Sequence, residues 1–440
     1  MESLKKFEND FEIIVSDGGS NDTTLEICKR QKVVLVTSGK GRGNQLNKGA
    51  AAASGNVLLF LHADTFLPDN AFELLDEFFM NDNNSICRFL LGFDINHWLL
   101  DICGSFSKYD TVFTRFGDSG IAVRKSFYEK LNGFRERNGF EDVEFFSNAA
   151  SNLRNKSIPI LPSKVISSAR RFIENGPMRQ KLINAYLFAG YLFNVKPEAL
   201  SHAYNKKLNQ KRRTSLIVFL RYPQIGKVKT RLAETTTKEF ALHFYKKCAD
   251  KIMNEIKRIA RINKYVFYSE KEEFGKVKKW LGGKFYYAHQ KGDDLGGRMK
   301  DAFQQIFSHG AEKVVIVGTD IPDLNRTIIE QAISELDKND VVIGPSKDGG
   351  YYLLGMKKMY NDLFDDIKFS THSVLSETIF KIEKLGLRYS LLPQLQDIDT
   401  EEELVHWLQN GSGSPIRKDI DFVYNLINGR INQRCAHCGE

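Results

Sequence analysis

A short apolar run that ends in an aspartate occurs once in each half of the chain, and this repeat is the strongest constraint on the fold. In the second half, Val314–Val317 lead to Asp320 and then Pro322, and in the first half Asn56–Thr65 contains a similar run that ends at Asp64. Runs this short and this apolar predict buried strands rather than helices. A carboxylate at the end of a buried parallel strand lies where open α/β sheets bind their ligands. The sequence therefore predicts two α/β domains of related design.

The two aspartates are candidate metal ligands. A carboxylate at such an edge is costly to desolvate unless it meets a cation. A divalent ion that carries a phosphate is the natural partner, so Asp64 and Asp320 are candidate ligands of Mg²⁺ or Mn²⁺. Capping of the helix that follows each strand is the alternative interpretation, and these two windows alone leave it open.

Length and composition indicate a globular, multidomain protein. A chain of 440 residues is too long for one ordinary core. Its 42% hydrophobic content, with 12% aromatic residues, is typical of globular rather than disordered proteins. The sequence contains no run as long as a membrane span and opens without a signal peptide, and its six cysteines fit a reducing compartment. We therefore expect a cytoplasmic protein without disulfides.

A basic, polar stretch suggests the domain boundary. Five lysines and arginines crowd Ser201–Thr214, which shows no apolar period. We predict a first domain over 1–204, a linker over 205–214, a second domain over 215–410 and a tail over 411–440. The tail holds Cys435 and Cys438, which have the spacing of half a zinc site without a second half.

Contacts with nucleic acid or membranes are minor alternatives. The basic linker could touch nucleic acid or acidic lipid, but we expect no nucleic-acid partner. The most apolar long segment, Leu182–Val195, predicts a packed helix, with a helix lying on a membrane surface as the alternative. We expect at most peripheral membrane contact, and the oligomeric state stays open.

Two glycine-rich segments of the first half are typical of nucleotide binding. The strand Phe11–Ser16 runs into Asp17 and two glycines, so the Asp17 carboxylate could accept hydrogen bonds from a ribose or base. An Asx turn is the alternative for Asp17. The loop Gly39–Gly43 then enters an alanine-rich helix and offers the backbone donors and positive charge that a phosphate needs.

These motifs resemble family 2 glycosyltransferases, and more narrowly their arsenosugar-biosynthesis branch. The resemblance covers roughly Phe11–Tyr204 and is carried by DGGSND, GRGNQLNKGA and FLHADT. It implies that Asp17 contacts the nucleotide, with Arg42 and Gln45 beside it. It also implies that Asp64 takes the place of the metal-binding acid in the family's Asp-x-Asp motif. His62 stands at the first position of that motif, so metal ligation by a single carboxylate is expected.

An acidic pair in the first half, Glu141 and Asp142, predicts the general base. Gly139–Glu144 opens a helix and matches the family's Glu-Asp motif, whose aspartate is the base. An acceptor hydroxyl must lose its proton as it attacks the anomeric carbon, and a single displacement inverts that centre. Asp142 is the first candidate and Glu141 the second, with helix N-terminal acids as the alternative. Arg170 and Arg171 could bind the leaving diphosphate or form a solvated face.

The start of the chain departs from that family. Family members have a further strand ahead of the one that ends at Asp17, whereas only Met1–Asp10 precede it here. In a doubly wound sheet such a strand is central, and its loop lines the nucleotide pocket. We expect a first domain without its first strand. A misplaced start, an impaired domain and another element in the gap are the open alternatives.

The second half contains a basic loop and two glycine turns. The strand Ser215–Leu220 leads to a loop that places fixed positive charge where a polyphosphate would lie, without the P-loop pattern. A solvated basic loop is the alternative. The candidate nucleotide-binding residues of this half are Gly226, Lys229, Arg231, Gly296, Arg298, Asp348 and Gly349.

Two further acids precede the last predicted helix. Asp397 and Asp399 come just before a helix that we predict to start at Thr400, with Glu403 in capping-box register. Two carboxylates from separate strand ends can clamp a metal that bridges phosphate oxygens, so both acids join Asp320 as candidate ligands. Capping and turn formation are the alternative.

The motifs KVKTRL, DLGGRM, GTDIPDL, GPSKDGGYYLLG and DIDTEEEL resemble a second family, DUF2064-like proteins related to molybdopterin- and phospholactate-guanylyl nucleotidyltransferases. The resemblance covers Ser215–Gln409. It implies that Asp320 and one of Asp397 and Asp399 hold Mg²⁺, while Lys229 and Arg231 address the phosphates. Together the two resemblances imply tandem GT-A-type domains, which are Rossmann-like folds of nucleotide-diphospho-sugar transferases.

We therefore predict a fused, metal-dependent transferase. Its first domain would perform inverting glycosyl transfer from a nucleotide sugar. Its second would transfer a glycosyl or nucleotidyl group, for example from a nucleoside triphosphate to a sugar phosphate. The acceptor is not specified by these residues. The alternative is a nucleotide-binding scaffold or regulator in which one domain, the first above all, no longer turns over.

Overall fold

The computed structural model describes residues 11–20, 23–31, 33–136, 139–193, 195, 213–369, 371–410 and 413–429. The chain divides into two compact units, Met1–Gln210 (unit 1) and Lys211–Glu440 (unit 2). Most of the predicted linker lies outside the described residues, as do Cys435 and Cys438. Within the described ranges, no helix combines the length and the hydropathy needed to cross a bilayer.

Unit 1 contains seven described strands and eight described helices. The strands are β1 (Ile14–Asp17), β2 (Val34–Thr37), β3 (Val57–Phe60), β4 (Thr65–Phe66), β5 (Ile86–Phe93), β6 (Ile121–Arg124) and β7 (Ile160–Ser167). The helices are α1 (Thr24–Arg30), α2 (Arg42–Ala52), α3 (Ala71–Met80), α4 (Trp98–Phe106), α5 (Lys125–Lys130), α6 (Glu141–Asn152), α7 (Arg170–Asn175) and α8 (Pro177–Leu192).

These strands form two sheets. The larger has the order β3-β6-β5-β7-β4, with β5 and β7 parallel and the other pairs antiparallel. Strand alternation sends Ile121 and Val123 of β6 to the side of α6, and Ala122 to the side of α3. The larger sheet is therefore covered by helices on both faces. The smaller sheet is the parallel pair β1-β2, and α2 packs against β1.

Unit 2 contains seven strands and eight helices in its described part. The strands are β8 (Thr214–Leu220), β9 (Asn263–Tyr268), β10 (Tyr286–His289), β11 (Lys313–Val317), β12 (Val341–Pro345), β13 (Tyr351–Met356) and β14 (Tyr389–Leu391). The helices are α9 (Thr230–Thr235), α10 (Lys238–Arg258), α11 (Phe274–Leu281), α12 (Leu295–Ser308), α13 (Arg326–Glu335), α14 (Val374–Lys384), α15 (Glu401–Asn410) and α16 (Arg417–Ile427).

The strands of unit 2 form one sheet of order β10-β9-β8-β11-β13-β12-β14. Only β13 runs antiparallel to its neighbours, and every other pair is parallel. The run Val314–Val317 is buried within β11, as predicted for a strand with helices on both faces. One face packs on α10, α11 and α13, and α12 contacts β11. The predicted α/β class is confirmed for both units.

The segment predicted as a tail contains a packed helix, which corrects that expectation. Ile420 and Tyr424 of α16 are buried in a cluster with Phe240 and Phe244 of α10 and Trp407 of α15. Their spacing puts both on one helical face, so burying that face stabilises the helix. Unit 2 therefore extends beyond residue 410.

Candidate active sites

Unit 1 carries an open cleft of about 2470 Å³. The predicted site residues Arg42, Gln45, Asp64 and Asp142 line it, together with residues of β1 and β3. The cleft is larger than the roughly 300–1,000 Å³ of an ordinary ligand pocket because it also takes in the space between β1 and β3, which belong to different sheets. Asp64 itself is exposed there, at the end of the strand predicted from the sequence.

An ion-pair network spans the cleft. The Arg42 guanidinium contacts both ring nitrogens of His62, and Nδ1 of the same ring lies 2.8 Å from Oδ1 of the Asp118 carboxylate. Burial opposes ionisation of Asp118, but the hydrogen bond from His62 and the charges of His62, Arg42 and Arg171 lower its pKa. Arg170 and Arg171 also line the cleft. The three arginines therefore bring positive charge to the cleft that Asp64 also lines.

The two candidate bases occupy different environments. Asp142 is partly exposed, and its Oδ2 accepts a 2.6 Å hydrogen bond from the amide of Gly117. Glu141 is only 1% exposed and lies 3.4 Å from Nε of Arg42. Burial and the adjacent charge of Asp142 raise the pKa of Glu141. Asp142 is therefore the carboxylate that an acceptor in the cleft could reach, and Glu141 holds Arg42.

Asp17 adopts the turn that was the alternative to nucleotide contact. Its carboxylate accepts hydrogen bonds from the amides of Gly19 and Ser20 and from the Ser20 hydroxyl. The hydrogen bonds from Ser20 and from Gly19 lower the pKa of Asp17. Gln45 donates to the carbonyl of Ser16 at 3.2 Å and so braces the end of β1. Nucleotide contact by Asp17 stays a prediction.

Unit 2 brings Lys229 and three predicted metal ligands to one point. The Lys229 ammonium lies 3.3 Å from Oδ2 of Asp320, 2.7 Å from Oδ1 of Asp397 and 2.8 Å from Oδ1 of Asp399. The lysine side chain is 3% exposed, whereas the aspartates are 23–41% exposed. Arg231 lies 3.9 Å from Asp399 on the solvent side. We call these four residues, Lys229, Asp320, Asp397 and Asp399, the lysine–aspartate cluster.

Local structure explains how the cluster is assembled. Lys229 has φ +46° and ψ +50° and lies at the N-terminus of α9, which turns its side chain into the unit. Asp320 follows β11, and the neighbouring Thr319 is held by the hydroxyl of Tyr245. The predicted capping box is confirmed, because Thr400 and Glu403 exchange hydrogen bonds at 2.9 and 3.3 Å.

The cluster has more negative than positive charge. Burial alone would lower the pKa of Lys229, but the three carboxylates hold this pKa well above its usual range. Burial and the neighbouring Asp320 raise the pKa of Asp397 to about 7, against the effect of Lys229. One ammonium therefore neutralises three carboxylates only in part, which leaves an attraction for a further cation.

The donors suit a hard divalent ion, but they now converge on an ammonium. Carboxylate oxygens from two strand ends are the ligands that Mg²⁺ and Mn²⁺ prefer. Among the residues that the structure describes, no group of three or more His, Cys, Asp and Glu side chains is arranged to hold a metal ion. The three aspartates offer oxygen donors of the kind such an ion takes, and in this structure the Lys229 ammonium lies between them.

The other candidates of unit 2 have structural explanations within the protein. Arg298 donates to the carbonyl of Gly292 at 3.1 Å, and Asp348 accepts from Ser346 and from the amide of Gly350. A Cβ added at Gly296 would overlap the ring of Phe369, and one added at Gly349 would overlap the carbonyl of His372. Gly226 has φ +73° in an exposed turn. These contacts explain the residues without a ligand, and their predicted roles stay predictions.

Sequence reasoning missed two features. Asp118, in the segment Gly117–Gly120, was not among the candidate site residues, although an acid between glycines is a signal that could have marked it. The position of Lys229 between three aspartates was also missed, since its partners are 91 to 170 residues away in the chain.

Comparison with protein families finds one match in each unit. The family "Glycosyl transferase family 2" matches residues 1–98. The family "Uncharacterized protein conserved in bacteria (DUF2064)" matches residues 252–371. The first match contains Asp64 and the second contains Asp320, whereas Asp142, Lys229 and Asp397 lie outside both.

Two archaeal enzymes and one solved structure are similar to parts of the chain. The 2-phospho-L-lactate guanylyltransferase of Methanocaldococcus vulcanius is 28% identical over 196 residues, which are 43% of this chain and 82% of that protein. Its Methanocaldococcus jannaschii counterpart is 34% identical over 119 residues, 26% of this chain and half of that protein. A nucleotide-diphospho-sugar transferase structure from Desulfovibrio desulfuricans, named as putative, is 30% identical and covers 50% of this chain and 99% of its own, with a TM-score of 0.47.

The two family matches and the similarity to guanylyltransferases support a transferase. They agree with the fusion predicted from the motifs, with a glycosyltransferase region first and a nucleotidyltransferase-like region second.

Proposed function

Since the chain is a fusion of a family 2 glycosyltransferase region and a DUF2064 region, we propose that it is a transferase with two centres that act on nucleotide-activated substrates. The centre of unit 2 is the lysine–aspartate cluster, and this cluster carries the proposal. The centre of unit 2 transfers a nucleotidyl group from a nucleoside triphosphate to an acceptor that bears a phosphate. The acceptor class follows the curated relative, a 2-phospho-L-lactate guanylyltransferase.

In unit 2, an oxygen of the acceptor phosphate attacks the α-phosphorus, the bond to the β-phosphate oxygen breaks, and pyrophosphate leaves. Asp320, Asp397 and Asp399 would hold Mg²⁺ or Mn²⁺, which neutralises phosphate charge when it is bound. Lys229 and Arg231 donate hydrogen bonds to phosphate oxygens and stabilise the charge that develops on the leaving group. Lys229 is already ordered beside the aspartates, so turning its ammonium toward a phosphate at this centre costs little further side-chain entropy.

The test of unit 2 is release of pyrophosphate. We expect the full chain with Mg²⁺ to release it from one of the four common nucleoside triphosphates in the presence of 2-phospholactate or a sugar 1-phosphate. Asp320→Asn and Asp397→Asn should lower kcat by about a hundredfold or more. The control Asp421→Asn, on the exposed side of α16, should keep full activity. Release that is equal in all variants would refute the assignment of the centre.

Unit 1 is proposed as an inverting glycosyltransferase centre, because Asp142 reaches the cleft that Asp64 and Arg42 line. Asp142 accepts the proton of the acceptor hydroxyl as its oxygen attacks the anomeric carbon, and the nucleoside diphosphate leaves from the opposite face. Asp64 would hold the divalent ion, and Arg42 and Arg171 contact the leaving diphosphate. By resemblance, the product belongs to arsenosugar or other glycoconjugate biosynthesis.

The test of unit 1 separates enzyme from scaffold. Asp142→Asn should abolish metal-dependent turnover of a nucleotide sugar while leaving its binding within about threefold, since a base acts on the reaction rather than on ground-state binding. Asp82→Asn, at a fully exposed carboxylate, is the matched control. Tight binding of nucleotides by the unmodified chain with no turnover would favour the scaffold.

The free state of all four described cysteines is compatible with the proposed cytoplasmic location.

A further inference from the structure

Two helices of unit 1 turn apolar stripes toward solvent. On α4, Trp98, Ile102 and Phe106 are 41%, 44% and 57% exposed, and their spacing of four residues puts them on one face. On α8, Leu182 and Tyr186 are 69% and 55% exposed with the same spacing. An exposed stripe of this kind is not explained by packing within unit 1.

The exposed apolar residues are concentrated in these two segments. Of the 24 exposed large apolar side chains among the described residues, 12 lie within residues 98–113 and 178–195. We call these twelve the apolar face: Trp98, Ile102, Phe106, Tyr109, Val112, Phe113, Met178, Leu182, Tyr186, Leu192, Phe193 and Val195. Contiguous apolar surface of this extent marks an interaction site in proteins that are otherwise soluble monomers.

The two segments lie on one side of unit 1. Helix α4 contacts α8, and the ring of Phe113 packs on that of Phe188 with 5.2 Å between centroids. The opposite sides of both helices are buried, through Leu100 on α4 and through Ile183 and Phe188 on α8. Both helices are therefore held firmly while their outer sides stay uncovered.

The apolar face runs into the cleft of unit 1. Ile102, Phe106 and Phe113 belong to the face and also line the cleft. A partner that covers the face therefore lies next to the opening that leads to Asp142.

Basic residues flank the face. Within the two segments of the face, 98–113 and 178–195, there are three basic residues, Lys108, Arg179 and Lys181, and two acidic ones, Asp101 and Asp110. One of the acids, Asp110, is taken up by a bidentate hydrogen-bonded pair with Arg115. The exposed Lys108 lies over the ring of Tyr109, so a cation stands beside the apolar side chains. Aromatic and aliphatic side chains flanked by lysine and arginine fit the boundary between lipid headgroups and acyl chains.

We propose that the apolar face docks unit 1 on an anionic lipid surface. The exposed tryptophan, phenylalanines and leucines enter the boundary region, and the flanking cations meet the lipid phosphates. The docking stands on the surface alone and does not depend on the proposed transferase activity. It places the mouth of the cleft at the membrane.

Vesicle flotation with the full chain tests the docking. The chain should float with phosphatidylcholine vesicles that contain about 30% phosphatidylglycerol, float weakly with phosphatidylcholine alone, and bind less as salt is raised. The double variant Phe106→Glu, Leu182→Glu should bind at least tenfold more weakly, because two half-exposed apolar side chains are replaced by charges that the anionic surface repels. The control Phe380→Glu changes a phenylalanine of unit 2 that is 66% exposed and should bind as the unmodified chain does.

A fluorescence measurement keeps the test valid if the double variant does not fold. The chain has three tryptophans, and Trp98 alone lies on the apolar face. Anionic vesicles should shift tryptophan emission to the blue, and Trp98→Phe should remove most of that shift. Absence of flotation, or a shift unaffected by Trp98→Phe, would overturn the proposal. So would a dimer, seen by light scattering, that the double variant dissociates, since the face would then join two copies of the chain.

Discussion

Replacing Lys229 by methionine tests how the lysine–aspartate cluster holds unit 2 together. Methionine keeps most of the side-chain volume and removes the ammonium that contacts Asp320, Asp397 and Asp399 at 2.7–3.3 Å. Three carboxylates would then face one another, with only the exposed Arg231 beside Asp399. The change isolates the charge, because little packing is lost.

The magnitude follows from burial. Removing one partner of a fully buried ion pair costs about 3–5 kcal/mol. The aspartates are 23–41% exposed, so water screens their repulsion and we reduce the cost to about 2 kcal/mol. For a unit of this size, each kcal/mol lowers the melting temperature by about 2–4 °C, so we expect a fall of about 4–8 °C at pH 8 without metal.

The pH dependence supplies a second signature. The pKa of Asp397 is raised to about 7 in the folded protein, so the folded state binds this proton more tightly than the unfolded chain. Stability from this group is therefore lost as pH rises from about 4 through 7. Without Lys229 the folded state favours the proton still more. The gap between the unmodified chain and Lys229→Met should be small at pH 5 and full at pH 8.

Scanning calorimetry in EDTA at pH 5 and pH 8 measures the fall in melting temperature. The transition that shifts in the Lys229 variants is assigned to unit 2. Adding Asp397→Asn to Lys229→Met should restore part of the lost stability at pH 8, because one repelling charge is removed. Lys227→Met, at an exposed lysine of the same loop, is the matched control. Equal losses at pH 5 and pH 8, or a loss as large for Lys227→Met, would refute the reasoning.

Three further predictions concern stability and dynamics. Gly296→Ala should lower the stability of unit 2 by about 1–3 kcal/mol in denaturant titrations because its Cβ would overlap the Phe369 ring, whereas Gly275→Ala, which meets open space, should not. Glu141→Gln should raise the melting temperature of unit 1 at pH 8 but not at pH 4. The pKa of Glu141 is raised, so ionisation of this buried carboxyl weakens the fold as pH rises. Amide hydrogen exchange should be at least tenfold faster in β1 than in β8, because β1 pairs with one strand and β8 with two, and equal protection would contradict this.

Local patterns in the sequence were sufficient for several strands and for one helix start. The runs that became β8 and β11 are continuous and β-branched, and such runs become strands buried on both faces. The capping box at Thr400 and Glu403 is likewise a local signal, because both partners lie within one helical turn. Helix α16 was missed because its short apolar period follows a glycine- and serine-rich stretch that reads as a tail.

The site could be predicted only as a set of residues, not as an arrangement. The sequence nominated Lys229 for phosphate and three aspartates for metal, but their convergence depends on strand order, which brings β8 next to β11. The glycines are ambiguous for a related reason. Gly296 and Gly349 accommodate Phe369 and His372, and a glycine that admits a protein group has the same sequence signal as one that admits a ligand.

The two centres differ in how their charge is held, and this difference bears on how each is used. In unit 2, the buried Lys229 ammonium partly neutralises the carboxylates in the free protein, so the centre is assembled before any ligand arrives. Ligand binding then exchanges one set of ionic partners for another. In unit 1, Asp64 is exposed and the Arg42–His62–Asp118 network lies at an open cleft, with one contributing strand, β1, paired only to β2 in the described structure. Ordering that cleft on binding costs free energy that unit 2 does not spend. We therefore expect weaker nucleotide binding in unit 1 than in unit 2.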